Sequence, residues 1–434
     1  MELSHYLKIY TWEEDPGYLL LYSTKRTSKI LLKKEDYQAI ERGILSSSDE
    51  KLLSGLGMIV ADQEEEKRDM LAFLDRFNVR NSGLHLIVVL NLDCNFACLY
   101  CYEGDMKGKW YMSDEVARQL IEFIKHKFTD KKKTLLIDFY GGEPLLSTGL
   151  IKSISQVLKS FAEDRGASYW FTLVTNGSLF KRQVAEELVP LGLTNVKITL
   201  DGPAKNHNRY RPFKSGAGSF GTIINNIKET WDLVKIGIGG NYDQTNYKKF
   251  VSLLNYLAEE GLTHERISAV KFDPIMKRPV GDTSPVDYKE GCLSINEPWL
   301  LDADSFLREE ILNRGYNTLK PMPMSCMVEI RDSYVVDFDG CIYKCPGFIG
   351  KKGYEVGDLI KGVTSYESTY KVGIYKNERC AECEYLPLCF GGCRYMAFLR
   401  DGNLDNLDCK KPYLDASLEA IAKSSTAKKG PLIT

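Results

Sequence analysis

Six short apolar runs alternate with longer amphipathic stretches between residues 85 and 273, and this alternation predicts repeated strand–helix units. The runs are rich in Val, Ile, Leu, Phe and Tyr and end in glycine or polar residues, as buried parallel strands do. They place strands near 85–91, 134–140, 169–175, 195–200, 234–240 and 268–273. The pattern predicts an α/β fold, either a partial (βα)6 barrel or an open doubly wound sheet.

Two helices in this region have recognisable starts. Ser113 is the expected N-cap of one, because Asp114 and Glu115 follow it and apolar residues then recur at helical spacing. Asn246 is the expected N-cap of another, whose apolar face begins at Phe250. Both helices are predicted to pack on the sheet, with a ligand site at the carboxyl ends of the strands.

Other segments differ in composition from this repeat. Residues 1–80 hold two strand-like runs, at 18–22 and 29–33, followed by charged helical sequence, which predicts a small α+β accessory domain. We assign 85–273 to the barrel and 274–325, which begins rich in proline and glycine, to a bridging linker. A cysteine-rich domain is expected over 326–422, followed by a frayed tail over 423–434.

Composition excludes several classes of protein. The 434-residue chain has a formal net charge of −2 and dispersed Lys and Arg, so we expect no nucleic-acid partner. No apolar run approaches the ~20 residues that cross a bilayer, and the first residues lack the layout of a secretory signal. We therefore expect a cytoplasmic protein without a membrane partner. In that compartment, twelve cysteines indicate metal or redox chemistry rather than disulfides.

Three of these cysteines, Cys94, Cys98 and Cys101, form a C-x3-C-x2-C triplet directly after the first predicted strand. Three thiolates at this spacing can hold one face of a four-iron cluster and leave the fourth iron open to another ligand. Three unrelated buried cysteines are the alternative. A zinc site fits less well, because structural zinc takes four ligands and no further Cys or His follows closely.

The triplet, with Tyr100 before its last cysteine, resembles the signature of the radical S-adenosylmethionine (SAM) enzymes, in which the open iron binds SAM. The turn Gly141-Gly142-Glu143-Pro144 follows the second strand and resembles the family's second motif, which receives the SAM ammonium group. Glycines let the backbone approach a ligand closely, and a glutamate can offset positive charge. The resemblance favours the six-stranded partial barrel over the open sheet.

Two later segments, Thr199-Leu-Asp-Gly-Pro203 and His207-Asn-Arg-Tyr-Arg211, resemble family segments beside SAM. The resemblance implies that Thr199 approaches the ribose or methionine and that Arg211 pairs with the methionine carboxylate, which suits its bidentate fork. It also lets Tyr100 pack on the adenine. The structural alternatives are a strand-end turn, a surface salt bridge and core packing, respectively. No catalytic side chain is assigned beyond the cluster.

Nine of the twelve cysteines lie between Cys292 and Cys409, and their spacing is similar to the SPASM extension of radical SAM enzymes that modify peptides and proteins. In that extension the cysteines hold two auxiliary four-iron clusters, whereas a zinc ribbon is the alternative for the later cysteines. The resemblance assigns Cys326, Cys345 and Cys393 to a first auxiliary cluster, and Cys380, Cys383, Cys389 and Cys409 to a second. The expected cofactors are therefore three [4Fe-4S] clusters and SAM.

The first auxiliary cluster is one ligand short unless Cys292 or Cys341 completes it. Cys341 is four residues from Cys345, a distance of about 13 Å in extended chain and too far for one cluster unless the chain folds back. Cys292 remains possible. If neither binds, the open iron could take a substrate thiolate.

The radical SAM resemblance implies that one electron, from a flavodoxin- or ferredoxin-type donor, splits SAM into methionine and a 5′-deoxyadenosyl radical. Sulfatase-maturing enzymes carry an acidic residue directly after the cysteine that matches Cys345, whereas Pro346 here cannot act as a base. This departure favours maturation of a ribosomally synthesised precursor peptide, with a thioether crosslink as the product.

The first 80 residues resemble recognition domains that bind a leader peptide along a strand edge. The whole chain is most similar to the geopeptide radical SAM maturases. Carbon–carbon crosslinking, dehydrogenation and formylglycine formation are the alternative reactions. A non-enzymatic iron–sulfur electron-transfer protein or a zinc scaffold is the alternative class.

Overall fold

The computed structural model describes residues 1–104, 106–277, 291–323 and 325–424. Within them, six parallel strands lie side by side in the order in which they occur along the chain. They are β6 (Gly83–Val89), β7 (Thr134–Tyr140), β8 (Ser168–Thr175), β9 (Leu193–Thr199), β10 (Lys235–Tyr242) and β11 (Ile267–Pro274). A doubly wound sheet would reverse its strand order part of the way across, so this sequential order confirms the barrel prediction.

Helices connect and cover these strands. They are α5 (Asp114–Lys127), α6 (Thr148–Glu163), α7 (Arg182–Leu188), α8 (Ala204–Tyr210), α9 (Phe220–Thr230) and α10 (Phe250–Glu259). Along β7 the alternation of side chains is clear: Leu135, Ile137 and Phe139 are fully buried in the main core, whereas Leu136 and Asp138 between them are only partly buried. The side chains on one face of each strand thus pack against the helices, and those on the other face can line a ligand-binding site.

The two predicted helix starts had different outcomes. Ser113 caps α5, because its side chain accepts a hydrogen bond from the Val116 amide. The prediction for Asn246 was wrong: its side chain bonds to Asp243, and a short 3₁₀ turn precedes the start of α10 at Phe250. The side chain is engaged within its own turn and does not reach the amides of the helix.

The barrel is open. Among the described residues, β11 pairs only with β10, and the free side of β6 pairs in parallel with a strand from the C-terminal region. That region contains α11 (Pro298–Asn313), β12 (Ser333–Val336), β13 (Cys341–Tyr343), β14 (Gly357–Asp358), β15 (Gly362–Val363), α12 (Glu378–Ala381), α13 (Leu386–Cys389), α14 (Arg394–Asp401) and α15 (Lys411–Ser424). Strand β12 extends the barrel sheet into the cysteine-rich region, so the two form one continuous sheet.

The first 80 residues form a three-stranded antiparallel sheet, a small strand pair and four helices. Their bounds are β1 (Glu2–Leu3), β2 (Leu7–Thr11), β3 (Tyr18–Ser23), β4 (Lys29–Lys33), α1 (Lys34–Glu41), α2 (Ser47–Gly55), β5 (Ile59–Val60), α3 (Gln63–Leu71) and α4 (Phe73–Arg80). One face of the sheet packs on its own helices, while Trp12, Leu20 and Tyr22 pack on Tyr385 and α15. The N-terminal region is therefore fastened to the cysteine-rich region.

Residues 278–290 of the predicted linker and residues 425–434 of the predicted tail lie outside the described residues. No helix among the residues that are described combines the length and the apolar character needed to cross a membrane.

Candidate active site

The carboxyl ends of the barrel strands surround a cavity of about 250 Å³. The triplet follows β6, the Gly-Gly-Glu-Pro turn follows β7, and Thr199 ends β9. All three cysteines of the triplet line the cavity, together with Tyr100, Gly141, Gly142, Thr199 and Arg211. The structure thus brings together residues that are up to 117 positions apart in the sequence.

The triplet cysteines are neighbours in a largely buried environment. Burial raises the pKa of Cys94 to about 11 and also raises that of Cys101, and the nearby Cys98 adds to both shifts. Binding of a metal would displace the thiol protons, because the thiolate is the ligand.

The Lys107 ammonium lies near the same three cysteines and hydrogen-bonds to Cys101. Burial lowers its pKa, but the charges of Cys101, Cys94 and Cys98 outweigh that effect and raise it. This lysine was not predicted from the sequence, because it lies six residues beyond the triplet in a loop without a recognisable pattern.

The glycines of the Gly-Gly-Glu-Pro turn allow close contact with the chain that enters the triplet. A Cβ at Gly142 would lie 2.1 Å from the Asp93 carbonyl oxygen, and a Cβ at Gly141 would lie 2.4 Å from that of Asn91. Gly141 also has a φ of +140°. The glycines therefore fix the position of the triplet loop in addition to lining the cavity.

Glu143 is fully buried and its carboxylate is held by protein groups. It accepts hydrogen bonds from the Thr175 hydroxyl at 2.7 Å, the Asn176 amide at 2.8 Å and the Leu145 amide at 3.0 Å. Burial raises its pKa, and these bonds oppose the shift. Glu143 thus ties the end of β7 to the end of β8, while Pro144 begins the short helical turn that follows.

A buried polar network surrounds Tyr100. Its hydroxyl donates to Asp201 and accepts hydrogen bonds from Arg211 Nη1 at 2.8 Å and Asn241 Nδ2 at 2.9 Å. The backbone amide of Asn241 also donates a hydrogen bond to the Asp201 carboxylate, at 2.8 Å. Tyr100 therefore connects the triplet loop to β10 and to the segment after β9. Asn241 was not predicted from the sequence, although it is the last residue but one of a glycine-rich strand and lines the cavity.

Arg211 has hydrogen-bonding capacity left at this site. Its Nε is buried and has no hydrogen-bond partner among the described residues, and Cys98 is its strongest charged neighbour. Buried guanidinium donors normally find a partner. A carboxylate ligand beside the triplet would satisfy this donor, so the chemistry of the site fits the methionine end of SAM next to a cluster held by Cys94, Cys98 and Cys101.

Seven of the nine remaining cysteines fall into two sets. Burial raises the pKa of Cys345 well above its usual value, and Cys326 and Cys393 raise it further. The other set lines a second cavity, of about 340 Å³, and comprises Cys380, Cys383, Cys389 and Cys409. Within the described chain, no three Cys, His, Asp or Glu side chains are arranged to hold a single metal ion.

Cys292 and Cys341 have other surroundings. Burial raises the pKa of Cys292 to about 12, and its strongest charged neighbour is Glu297. Burial raises the pKa of Cys341 to about 11, and its strongest charged neighbour is Asp339. For both thiols the leading charged neighbours are carboxylates, whereas the leading charged neighbour of Cys345 and of Cys393 is another cysteine, Cys326.

Comparison with known proteins identifies the class. Residues 88–263 match the model of the Radical SAM superfamily. The chain therefore contains a radical SAM domain, and the predicted resemblance is confirmed.

Relatives and solved structures extend beyond that domain. A cysteine-type anaerobic sulfatase-maturating enzyme from Clostridium novyi is 22% identical over 75% of this chain and 92% of its own. The radical SAM cyclopropyl synthase TigE from Paramaledivibacter caminithermalis is 22% identical over 82% of this chain and 76% of its own.

Two structural neighbours share the fold. Native anSMEcpe with bound AdoMet superposes with a TM-score of 0.63 at 18% identity, over 79% of this chain and all of its own. Streptococcus suis SuiB bound to precursor peptide SuiA superposes with a TM-score of 0.54 at 16% identity, over 94% of this chain and 98% of its own. The chain therefore carries a radical SAM domain followed by a cysteine-rich C-terminal region, and the geopeptide subgroup stays a prediction.

Proposed function

We propose that this radical SAM enzyme modifies a ribosomally synthesised precursor peptide and forms a thioether between a peptide cysteine and a carbon of an acceptor residue. The bound cluster and SAM would supply the 5′-deoxyadenosyl radical that removes a hydrogen atom from the acceptor carbon. Relatives named for the maturation of sulfatases and a neighbour solved with a precursor peptide support a peptide or protein substrate.

The observation that carries the thioether is the three-membered cysteine set. Cys326 and Cys393 raise the pKa of Cys345, and Cys326 also raises that of Cys393, whereas the leading charged neighbours of Cys292 and Cys341 are carboxylates. Three protein thiolates on a four-iron cluster leave one iron for an external ligand. A substrate thiolate held there would have lost its proton and would lie beside the radical carbon, and the one electron released when the carbon–sulfur bond forms would pass to the auxiliary cluster.

The roles of the chain's own residues follow from the geometry. Cys94, Cys98 and Cys101 would hold the SAM-binding cluster, and Arg211 would receive the methionine carboxylate. Thr199 lines the cavity where the ribose would lie, and Tyr100 holds Arg211 in place through its hydroxyl.

Formylglycine formation is the second candidate, because several relatives are sulfatase-maturating enzymes. Against it stands Pro346, which follows Cys345, starts a short 3₁₀ turn and has no ionisable group. The two products differ chemically, so one experiment separates them.

The test uses anaerobically purified protein and a cysteine-containing peptide encoded beside its gene. A thioether makes the peptide two hydrogens lighter and removes one alkylatable thiol. Loss of two hydrogens with every thiol still free would point to carbon–carbon crosslinking or dehydrogenation. An aldehyde that reacts with hydrazide would establish formylglycine formation instead.

The metal content of the purified protein tests the cluster assignment. Iron and sulfide should each be near twelve per chain, whereas stoichiometric zinc without sulfide would reverse that assignment.

We also propose that residues 1–80 bind the leader of the precursor peptide. The superposition on peptide-bound SuiB omits only 6% of this chain, so it includes most of this region. Its three-stranded sheet has two edges, β2 and β4, at which another strand could add. The pairing register turns the Ile9 amide on β2 and the Leu31 amide on β4 away from β3.

A proline substitution at either position removes an outward amide and leaves the pairing to β3 intact. Ile9→Pro or Leu31→Pro should weaken binding of a synthetic leader peptide without changing SAM cleavage. Full leader affinity in both variants would refute recognition at the sheet edges.

A further inference from the structure

The loop that carries the triplet exposes one apolar side chain next to a cluster ligand. Leu99 directly follows Cys98, and 41% of its surface is accessible. Consecutive Cα atoms are only about 3.8 Å apart, so this exposed side chain lies close to the position of the cluster. Exposed leucines are common on protein surfaces. Leu99 becomes informative because of the charges around it.

The neighbouring segment is fixed against the triplet loop and is basic. The Leu99 amide donates to the Tyr210 carbonyl at 3.0 Å, and the Ala97 amide donates to that of Pro212 at 2.9 Å. From residue 202 to residue 228 the chain contains no Asp or Glu. The exposed cations of this segment near Leu99 are Lys205, Arg209 and Lys214.

Two of these cations are available to a partner. Lys214 pairs with Asp93 at 2.8 Å. Lys205 and Arg209 are four residues apart on α8, so they share one helical face, and neither forms an ion pair with another described residue. Arg209 also lies over the ring of Tyr210, at 5.7 Å from its centroid. The surface therefore combines an apolar centre with an uncompensated positive rim.

We propose that Leu99, Lys205 and Arg209 form the docking surface for an acidic one-electron carrier protein that reduces the SAM-binding cluster. The carrier loses one electron and the cluster gains it, and neither an atom nor a proton has to cross the interface. Charge complementarity of this kind steers encounter and sets orientation. The proposal rests on SAM cleavage and not on peptide modification, so failure to modify any peptide would leave it unaffected.

The first test measures binding of an oxidised, acidic flavodoxin to the holoenzyme by calorimetry at low salt. Lys205→Glu/Arg209→Glu should weaken binding at least about tenfold, and added salt should weaken binding to the unmodified enzyme. The matched control is Lys131→Glu/Lys133→Glu, which makes the same change of charge at two exposed residues before β7, at the opposite end of the barrel. Equal affinity of the two double variants would overturn the proposal.

The second test compares two reductants in 5′-deoxyadenosine formation. With flavodoxin and its reductase, Lys205→Glu/Arg209→Glu should be at least about tenfold slower than the control variant, whereas with dithionite the two should be equal. If the rate with dithionite also falls, the charge reversal has damaged the enzyme itself, and the milder variant Lys205→Gln/Arg209→Gln is tested instead. Flavodoxin affinity as high in this variant as in the unmodified enzyme would refute the proposed docking surface. A third variant, Arg379→Glu, changes a residue that lines the cavity of Cys380 and Cys409. If only this variant loses flavodoxin binding, electrons enter at the C-terminal region instead.

Discussion

At the scale of single residues, the Tyr100 hydroxyl is the polar centre of the site. It contacts the Asp201 carboxylate, the Arg211 guanidinium and the Asn241 side-chain amide at once. Loss of one partner from such a network leaves the others unsatisfied, which costs about 1–3 kcal/mol per group.

We expect Tyr100→Phe to weaken SAM binding by about tenfold, because Arg211 loses the contact that orients it. Equilibrium dialysis of SAM against the reconstituted protein measures this effect. Tyr169→Phe is the matched control, since it also removes a buried hydroxyl bond, to Ser155, on the helix-facing side of β8. A Tyr100→Phe variant that binds SAM as tightly as Tyr169→Phe would show that the hydroxyl does not position Arg211.

Gly142 is the residue at which a side chain should do most damage. The Cβ of Gly142→Val would meet the backbone of Asp93 at 2.1 Å, and backbone cannot move aside as a flexible side chain can. We expect loss of SAM binding together with about one cluster's worth of iron, because the triplet loop would be displaced. Iron, sulfide and SAM binding are measured in parallel on Gly149→Val, whose Cβ meets no atom within 4 Å. Normal iron and SAM binding in Gly142→Val would contradict this role.

At the scale of elements, the strands were predicted well because their signal is local. Six buried apolar runs gave six parallel strands, each beginning and ending within about two residues of the predicted limits. The helix cap at Asn246 failed because Asn and Asp also bond within turns, and the sequence does not say which partner they choose.

The site was predictable only where residues sit in recognisable motifs. The triplet and the Gly-Gly-Glu-Pro turn are contiguous in sequence, and the fold brings them to one cavity. Lys107 and Asn241 belong to no such motif and meet the triplet loop only through the tertiary structure. The strand β2 was also missed, because Leu7–Thr11 carries a mixture of polar and apolar residues.

The separation of the cysteine sets into different elements leads to a further expectation. The triplet lies in the loop after β6, whereas the other sets lie in the C-terminal region. Cys94→Ala, Cys98→Ala and Cys101→Ala together should abolish reductive SAM cleavage and lower iron by about one cluster, while the auxiliary clusters remain. Iron analysis and electron paramagnetic resonance of the triple variant measure this outcome. Continued production of 5′-deoxyadenosine would exclude the triplet as the SAM site.

At the scale of the whole molecule, the N-terminal and cysteine-rich regions share apolar surfaces. Tyr6, Met70 and Leu74 pack with Leu386 and Phe390, which flank Cys389. Ion pairs join the same regions: Lys8 with Glu384 at 3.2 Å and Lys67 with Glu382 at 2.7 Å. Residues 1–80 thus cover the segment that carries Cys380, Cys383 and Cys389, in addition to any role in binding the leader peptide.

A truncated chain that begins at Ser82 is therefore expected to lose more than leader binding. Removal of the N-terminal region would expose Tyr385, Leu386 and Leu388, which are buried within the same segment as Cys383 and Cys389. Each buried apolar side chain is worth about 1.5–3 kcal/mol relative to exposure, so the local fold around this set should be strongly destabilised. We expect iron to fall by about one cluster, while the triplet still supports SAM cleavage with dithionite. Ile9→Pro, which leaves these contacts in place, is the control and should retain all its iron. A truncated protein with full iron content would show that the cysteine-rich region folds without its N-terminal cover.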